Sequence, residues 1–233
     1  MHTGTYLDRR GELEQYFDRT AVDAWARLTS DAPVSRIRAT VRAGRTRMRN
    51  VLLDWLPKDL SGCRILDAGC GTGAFATEAA ARGADVIAVD LSSTLVELAR
   101  ARHAAGANAG TIEFRVGDFL DPSLGAFEYA VAMDSLIHYV ESDVRRALRT
   151  LAARTSRGVL FTVAPRTLPL TLMHTVGRLF PRGDRAPAIE PLSERRLRRG
   201  IARDGALAGW RLARSERVNS SFYMSQAMEL VRL

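Results

Sequence analysis

A glycine-rich loop is the first feature of this sequence whose residue types suggest chemistry. Residues 65–73 read Ile-Leu-Asp-Ala-Gly-Cys-Gly-Thr-Gly, which places glycines at Gly69, Gly71 and Gly73. Glycine lets the backbone turn sharply and lets a ligand approach with no Cβ in the way. An apolar run precedes the loop and a helical pattern follows it, so free N–H groups at the helix start favour the negative end of a ligand. The loop therefore predicts a cofactor site.

Glycine spacing alone leaves two kinds of cofactor open. Gly69, Gly71 and Ala74 also satisfy the dinucleotide pattern G-x-G-x-x-G/A, and Asp90 lies about 20 residues further on. Asp67, however, would set a negative charge beside a pyrophosphate, whereas it suits a ligand that carries an ammonium group. A helical stretch of about 60 residues precedes the loop, and the sequence ends in a hairpin and not in a second mononucleotide half. These features disfavour a dinucleotide.

The elements around the loop alternate between short apolar runs and amphipathic patterns. Spacings of three and four predict helices at residues 9–29, 34–56, 74–82, 92–105, 141–153 and 193–204. Apolar runs predict strands at residues 63–68, 85–89, 111–116, 129–133, 158–163, 211–218 and 222–231. Apolar strands that alternate with helices indicate a parallel sheet covered on both faces. The short turn near 219–221 predicts an antiparallel last strand.

With these elements in place, the loop resembles motif I of class I S-adenosylmethionine-dependent methyltransferases. The resemblance implies a Rossmann-like, seven-stranded, mostly parallel sheet, with S-adenosylmethionine as methyl donor. It also implies that Asp90 holds the ribose hydroxyls and that Asp118 and Phe119 contact the adenine. The stretch Met133-Asp134-Ser135, at the end of the fourth strand, is implied to line the methionine end. The full set of implied cofactor-binding residues is Asp67, Ala68, Gly69, Cys70, Gly71, Gly73, Asp90, Leu91, Asp118, Phe119 and Met133.

Segments outside the loop carry a finer resemblance, to magnesium-protoporphyrin IX O-methyltransferases. The matching segments are Tyr16-Phe17-Asp18-Arg19-Thr20, Trp25-Ala26-Arg27-Leu28, Leu136-Ile137-His138-Tyr139, Ala164-Pro165-Arg166-Thr167 and Ser221-Phe222-Tyr223-Met224-Ser225. This resemblance implies methyl transfer to one propionate carboxylate of Mg-protoporphyrin IX. It makes magnesium part of the substrate, so no protein-bound metal is expected, and it suggests magnesium chelatase as a partner.

The expected substrate site needs an apolar surface with cations at its edge, because the substrate is a flat disc with anionic propionates. We expect His138 to orient the propionate as the catalytic residue. The candidate substrate-binding residues are Thr29, Arg38, Arg42, Arg45, Tyr139 and Arg166. Some members of the family carry Tyr at the position of Thr29, so this chain departs from the pattern there. A helical cap at 1–60 and a methyltransferase domain at 61–233, with an inserted lid at about 165–200, complete the expected organisation.

Composition limits the classes of ligand that this protein could bind but does not decide among them. The formal net charge is +8, which suits nucleic acid, an anionic membrane surface or an acidic small molecule. Base-methylating enzymes commonly carry a proline turn after strand four, and the Met133–Leu136 stretch has none, so nucleic acid is disfavoured. The sequence shows neither a signal peptide nor a membrane-spanning segment, and Cys63 and Cys70 are unsuited to a disulfide, so we expect a cytoplasmic protein with possible peripheral membrane contact.

Two other functions fit the same loop. One is a methyltransferase that acts on another small molecule, such as a quinone-type precursor. The other is a non-catalytic regulator that binds only the nucleoside.

Overall fold

The computed structural model describes residues 4–20, 36–103, 109–166, 188–220 and 222–233. Thr29 and most of the predicted lid lie outside these residues.

Helices and strands alternate through the described chain. The helices are α1 (Gly4–Gln15), continued by a π-helical turn (Tyr16–Thr20), α2 (Arg36–Trp55), α3 (Ala74–Ala81), α4 (Ser93–His103), α5 (Glu141–Ala153) and α6 (Glu194–Ala202). The strands are β1 (Arg64–Ala68), β2 (Asp85–Asp90), β3 (Thr111–Val116), β4 (Phe127–Ala132), β5 (Thr155–Val163), β6 (Trp210–Ser220) and β7 (Tyr223–Arg232).

The seven strands form one sheet in the order β3-β2-β1-β4-β5-β7-β6. The first five are parallel, with Asp67 level with Ala88 on one side and Val131 on the other. β7 enters antiparallel between β5 and β6. The predicted mostly parallel sheet with an antiparallel last strand is confirmed. Because β1 and β4 are central, their carboxyl ends meet near the middle of one sheet edge, where ligands bind in open α/β sheets.

Each face of the sheet carries its own apolar core. Helices α1, α5 and α6 cover one face, with Tyr6, Leu148 and Leu197 buried among the strand residues. On the other face lie α2, α3 and α4, with Leu52 and Phe75 buried. The sheet is therefore covered on both sides, and the accessible edge is the one formed by the strand ends and the loops that follow them.

Three sequence expectations need correction. The first helix starts at Gly4 and not at residue 9, because Tyr6 is almost fully buried and is held by a distant carboxylate that periodicity does not reveal. It changes to a π-helical turn after Gln15, whereas the sequence predicted a regular helix to residue 29. β3 is not apolar throughout: only Phe114 is buried in it, because β3 lies at the edge of the sheet.

Candidate functional site

The main cavity lies at the carboxyl ends of the central strands, beneath the helices of the cap. Its volume is about 410 Å³, within the range of small-molecule sites. Leu13, Tyr16 and Phe17 from the cap form one wall. The opposite wall consists of the loop glycines and of residues that directly follow β2 and β4. The cavity therefore joins the predicted cofactor loop to an apolar surface supplied by the cap.

The glycine loop needs glycine for two separate reasons. Gly69, Gly71 and Gly73 all have positive φ, at 80°, 53° and 78°, which other residue types rarely adopt. A Cβ on Gly69 would also lie 2.5 Å from Cβ of Ser135. The loop is held to the neighbouring strand because the N–H groups of Gly69 and Cys70 both donate to the Val89 carbonyl. Gly69 and Gly71 line the cavity itself.

Asp90 ends β2 and faces the cavity across from the loop. One carboxylate oxygen accepts the Gly71 N–H at 2.8 Å and the other accepts the Ser92 N–H at 3.0 Å. Burial raises the pKa of this carboxyl group, while those N–H donors lower it. The adjacent Leu91 also lines the cavity. The expected role of Asp90 in holding the ribose hydroxyls stays a prediction.

Asp67 is buried at the end of β1, beneath the loop. Burial first, and the nearby Asp90 charge second, raise its pKa to about 7. Within the described residues, neither its Oδ2 nor the Oγ of Ser135 has a hydrogen-bond partner, although both atoms are buried. Unpartnered buried polar atoms are rare in folded proteins. Two of them beside a strained glycine loop fit a polar ligand such as the amino-acid end of S-adenosylmethionine.

The two residues predicted to contact the adenine lie close to the cap helix. Phe119 lines the cavity. The Asp118 carboxylate accepts hydrogen bonds from the Tyr6 hydroxyl at 2.9 Å, from Arg10 at 3.3 Å and from the Leu120 N–H at 2.8 Å. Asp118 therefore anchors α1 to the end of β3, and it is not one of the described residues that line the cavity. Asp67, Ala68, Cys70 and Gly73 also stand outside the lining set, the first two at the end of β1 and the other two in the loop.

A second anchor holds the end of the cap segment. Asp18 accepts the Thr94 N–H at 3.1 Å and the Ser92 hydroxyl at 2.8 Å, at the start of α4. These hydrogen bonds, led by that from the Thr94 backbone, lower the pKa of Asp18. An ionised carboxylate at a helix start is also favoured by the helix dipole. The result is that Tyr16 and Phe17 are fixed over the cavity near Asp90.

His138 follows β4 and lines the cavity while being almost fully buried. Its Nδ1 lies 3.3 Å from the Ala188 carbonyl oxygen, and its ring meets Phe17 edge-on. Since a carbonyl only accepts, this hydrogen bond requires the proton on Nδ1. Tyr139 also borders the cavity, but its ring stacks on Tyr6 with centroids 5.1 Å apart, and burial raises its pKa well above the ordinary value. The Tyr139 geometry supports packing.

The four arginines predicted to meet a carboxylate lie in different places. Arg38 and Arg45 line the cavity. Arg42, on the same helix, is not among the described lining residues. Arg166 is exposed and borders a separate depression near α6, so the structure does not bring it to the main cavity. Periodicity shows which arginines share a helix, but which of them reach the cavity depends on how that helix packs on the sheet.

The sequence places Asp134 near the expected methionine end but does not reveal that it pairs with Arg45. Asp134 directly follows β4, and its carboxylate accepts from Arg45 Nη1 at 2.7 Å and from the Tyr223 hydroxyl at 3.0 Å. All three residues line the cavity, as does Ser135. Met133, which was predicted to lie near the methionine end, lines the cavity too. The signal was the charged residue in the Met133-Asp134-Ser135 stretch, but its partners are 89 positions away in either direction, beyond any local pattern.

The family follows from comparison with known proteins. A relative described as "Magnesium-protoporphyrin O-methyltransferase", from Rhodobacter capsulatus, is 48% identical over 96% of this chain and 97% of its own length. The chain belongs to the magnesium-protoporphyrin O-methyltransferase family. A family model described as "Magnesium-protoporphyrin IX methyltransferase C-terminus" matches residues 132–232, and a methyltransferase-domain model matches residues 65–158.

A solved structure agrees with this family, and a methyltransferase of another pathway is also similar over most of the chain. The crystal structure of a magnesium protoporphyrin IX methyltransferase from Synechocystis PCC 6803 with bound SAH is 28% identical, with a TM-score of 0.84 over 97% of this chain and all of that one. A ubiquinone biosynthesis O-methyltransferase from Methylocella silvestris is 31% identical over 87% of this chain and 89% of its own length. The predicted class I methyltransferase fold and the S-adenosylmethionine cofactor are therefore confirmed.

Two further features of the described residues concern metal binding and membrane insertion. No group of three or more histidine, cysteine or acidic side chains there is arranged to hold a metal ion. None of the helices in that part of the chain combines the length and hydrophobicity needed to span a bilayer.

Proposed function

We propose that this chain transfers the methyl group of S-adenosylmethionine to a propionate carboxylate of Mg-protoporphyrin IX, giving the monomethyl ester in bacteriochlorophyll or chlorophyll biosynthesis. The observation that carries the proposal is the cavity itself. It places an apolar wall (Leu13, Tyr16 and Phe17) and the side chains of Arg45 and His138 around the cofactor loop. A porphyrin propionate needs such a combination of apolar and cationic surface, and membership of the family supports the same substrate.

Within this proposal, the loop holds the cofactor by its amino-acid end and β2 holds its ribose. The N–H groups at the start of α3 favour the methionine carboxylate, and the unpartnered Asp67 Oδ2 suits the ammonium group. Asp90 suits the ribose hydroxyls, and Phe119 suits the adenine face. Asp118 contributes by holding α1 over the adenine side.

When bound, S-adenosylmethionine supplies an electrophilic methyl group on a sulfonium. The chain has little acid–base work to do, because a carboxyl group with an ordinary pKa of about 4.3 is already ionised at neutral pH. Its residues instead exclude water and align the carboxylate. Tyr16 and Phe17 cover the cavity, while Arg38 and Arg45 supply positive charge along its wall.

His138 is suited to orient the propionate. With the proton on Nδ1, Nε2 of the neutral ring accepts a hydrogen bond from a protonated carboxyl group, whereas Nε2 of an imidazolium donates one to a carboxylate. Either role fixes the carboxyl group without forming a covalent bond. The geometry therefore supports a hydrogen-bonding role at the reacting carboxyl group.

The direct test is formation of the ester. Purified protein with S-adenosylmethionine and Mg-protoporphyrin IX should form the monomethyl ester, detected by chromatography and mass spectrometry. Metal-free protoporphyrin and a dimethyl ester of the substrate serve as controls. Absence of product from a sample that binds S-adenosylhomocysteine would refute the proposal.

A quinone-type acceptor is the second candidate, because the ubiquinone methyltransferase relative spans most of the chain. Tryptophan quenching separates the two acceptors. Trp55 is the last residue of α2, the helix whose opposite half lines the cavity with Arg38 and Arg45. Quenching by Mg-protoporphyrin IX but not by a catechol-type quinol supports the porphyrin, and the reverse supports the quinol.

Two further parts of the proposal concern where the substrate comes from. We propose that magnesium chelatase delivers the porphyrin, which a co-purification with and without bound porphyrin tests.

We also propose peripheral contact with an anionic membrane, supported by the net charge of +8. Flotation with anionic and with neutral liposomes tests it, and recovery with neither kind refutes it.

A further inference from the structure

Asp134 is held in an unusual backbone conformation at the floor of the cavity. Its φ is +55°, and it is the one non-glycine residue with positive φ in the described part of the chain. Such a conformation costs free energy and persists only where the surroundings impose it. Its own N–H donates to the Thr162 hydroxyl at 2.7 Å, which fixes the turn after β4.

The Asp134 carboxylate receives donors from three elements. Besides Arg45 on α2, the hydroxyls of Tyr223 and Ser225 on β7 donate to it at 3.0 and 3.3 Å, and Thr162 on β5 donates at 3.3 Å. The Asp134 side chain is only 5% exposed and that of Arg45 is 21% exposed. Burial and the Asp134 charge raise the pKa of Tyr223, so its hydroxyl remains a donor.

This cluster adjoins the cofactor loop. Ser135, the residue after Asp134, lies against Gly69, where a Cβ would be 2.5 Å from the serine Cβ. Arg45, Asp134 and Tyr223 line the same cavity. A guanidinium carries five N–H donors, so Arg45 has donors besides the one given to Asp134. Arg45 is thus a cation of fixed position close to where the methyl group must be delivered.

The charge of the acceptor changes during methyl transfer. A carboxylate oxygen forms a bond to the methyl carbon, the carbon–sulfur bond breaks, and its electron pair stays on sulfur. The products are a neutral ester and a neutral thioether, and no proton moves. A cation bound to the carboxylate therefore stabilises the reactant more than the transition state, which tightens binding but slows transfer.

We propose that Asp134 is a positioning residue that also compensates the charge of Arg45. It fixes the guanidinium so that Arg45 orients the acceptor carboxylate, and it offsets enough positive charge that the carboxylate stays reactive. This inference rests on the proposed function, since it assumes an anionic carboxyl acceptor. It assigns to Asp134, Tyr223 and Ser225 a part in setting the balance between substrate affinity and turnover.

Two single variants and their combination test the proposal. Asp134→Asn removes the charge, and asparagine tolerates a left-handed backbone, so the turn is retained. It should bind Mg-protoporphyrin IX more tightly, by roughly fivefold, while kcat falls by roughly tenfold, because a cation no longer offset by the Asp134 charge holds the reactant carboxylate more strongly. Arg45→Gln should weaken binding by roughly tenfold through loss of the cation. The double variant should turn over faster than Asp134→Asn, because no uncompensated cation remains.

Binding is measured separately from activity, by tryptophan quenching with Mg-protoporphyrin IX in the presence of S-adenosylhomocysteine. Affinity for S-adenosylhomocysteine and the thermal midpoint report whether each variant is folded. Arg49→Gln is the matched control. Arg49 is one turn further along α2, is buried to a similar degree and forms an ion pair with Glu78 at 2.6 Å, and neither residue lines the cavity. Its porphyrin affinity and kcat should equal those of the wild type.

A merely structural role gives a different result. If Asp134→Asn binds porphyrin no more tightly than the wild type, or if the double variant is no faster than Asp134→Asn, the inference is wrong. Should Asp134→Asn not fold, unchanged porphyrin affinity in Arg45→Gln also overturns it. Wild-type protein that binds S-adenosylhomocysteine but forms no ester overturns the proposed function, and this inference with it.

Discussion

At the scale of single residues, Asp67 connects the fold of the loop to the pH range in which the cofactor can bind. Its carboxyl group is buried, has a pKa of about 7, and leaves Oδ2 without a partner among the described residues. A bound ammonium group favours the ionised form. Binding therefore requires loss of a proton whenever the pH is below that value.

We expect the affinity for S-adenosylmethionine to fall as the pH decreases from 7 to 5.5, by up to about tenfold per pH unit. The cofactor amino group, with an ordinary pKa of about 7.7–8.0, is protonated across this range, so its own titration does not produce the slope. Calorimetric titration with S-adenosylmethionine at several pH values measures this change in affinity.

The matched variant is Asp67→Asn, which keeps the size of the side chain. It should bind more weakly than the wild type at pH 7.5 and should show a shallower slope, because the principal titrating group is absent. A wild-type affinity that is constant between pH 5.5 and 7.5 would contradict the assignment of Asp67 to the ammonium group.

His138 gives the second prediction at this scale. His138→Ala removes the side chain that faces the cavity, so kcat should fall by roughly 10- to 100-fold, because alignment of the carboxyl group is lost. The affinity for S-adenosylhomocysteine should be unchanged, since the loop is untouched. Rapid-quench turnover and calorimetry measure the two quantities, and an unchanged kcat would assign His138 to packing against Phe17.

Sequence predicted residues of the site where one local pattern was sufficient. Asp67, Gly69 and Asp90 follow from strand ends and glycine spacing, and the structure places them together. Asp134 was missed as a charged partner because its role depends on Arg45 and Tyr223, which reach it only through the tertiary fold.

At the scale of elements, the contact between α2 and β7 depends on one glycine. The Tyr223 ring lies against the helix at Gly44, where an added Cβ would be 2.6 Å from Tyr223 Cδ1. That close approach allows the Tyr223 hydroxyl to reach Asp134. Helix α2 therefore needs a small residue at one position for the cavity wall to form.

Gly44→Ala should lower the free energy of unfolding by about 1–3 kcal/mol, because the buried ring must move. Urea unfolding measures the change. Gly11→Ala on α1 is the matched control, since nothing lies within 4 Å of its added Cβ. There alanine should stabilise the protein by about 0.5–1 kcal/mol, as in an open helical site. Equal stabilities for the two variants would contradict the close contact.

The sequence predicted the bounds of the central helices better than those of the first helix. The predicted range 141–153 coincides with α5, and 34–56 differs from α2 by at most two residues at either end. Both have strong apolar periodicity. The start of α1 depended instead on the burial of Tyr6 against a distant carboxylate, which leaves no periodic signal.

At the scale of the whole molecule, the sheet depends on a strand that comes late in the sequence but lies in its interior. β7 pairs with β5 on one side and with β6 on the other. Without β7, β6 has no partner in the described sheet and β5 becomes an open edge. Hairpin spacing predicted that the last strand is antiparallel, but not that it separates β5 from β6, because local spacing does not determine which edge a hairpin joins.

Truncation after Ser220 should yield insoluble protein, because an open apolar edge promotes association between chains. Removal of Leu233 alone is the control, since that residue is 76% exposed. The soluble fraction after expression measures both. A truncated chain that stays soluble and binds S-adenosylhomocysteine would show that β7 is dispensable.

The alternation along β7 also limits how the gene can change. Ser225, which donates to Asp134, and Ala227 lie on the face of the sheet that α2 covers, whereas Met228 belongs to the core on the opposite face. One codon inserted before Ser225 and not absorbed as a bulge would shift the pairing to β5 by one residue and so turn every later side chain to the wrong face. Two inserted codons would restore the alternation. We therefore expect viable length changes within this strand to occur in pairs of codons, while the turn before it accepts any number.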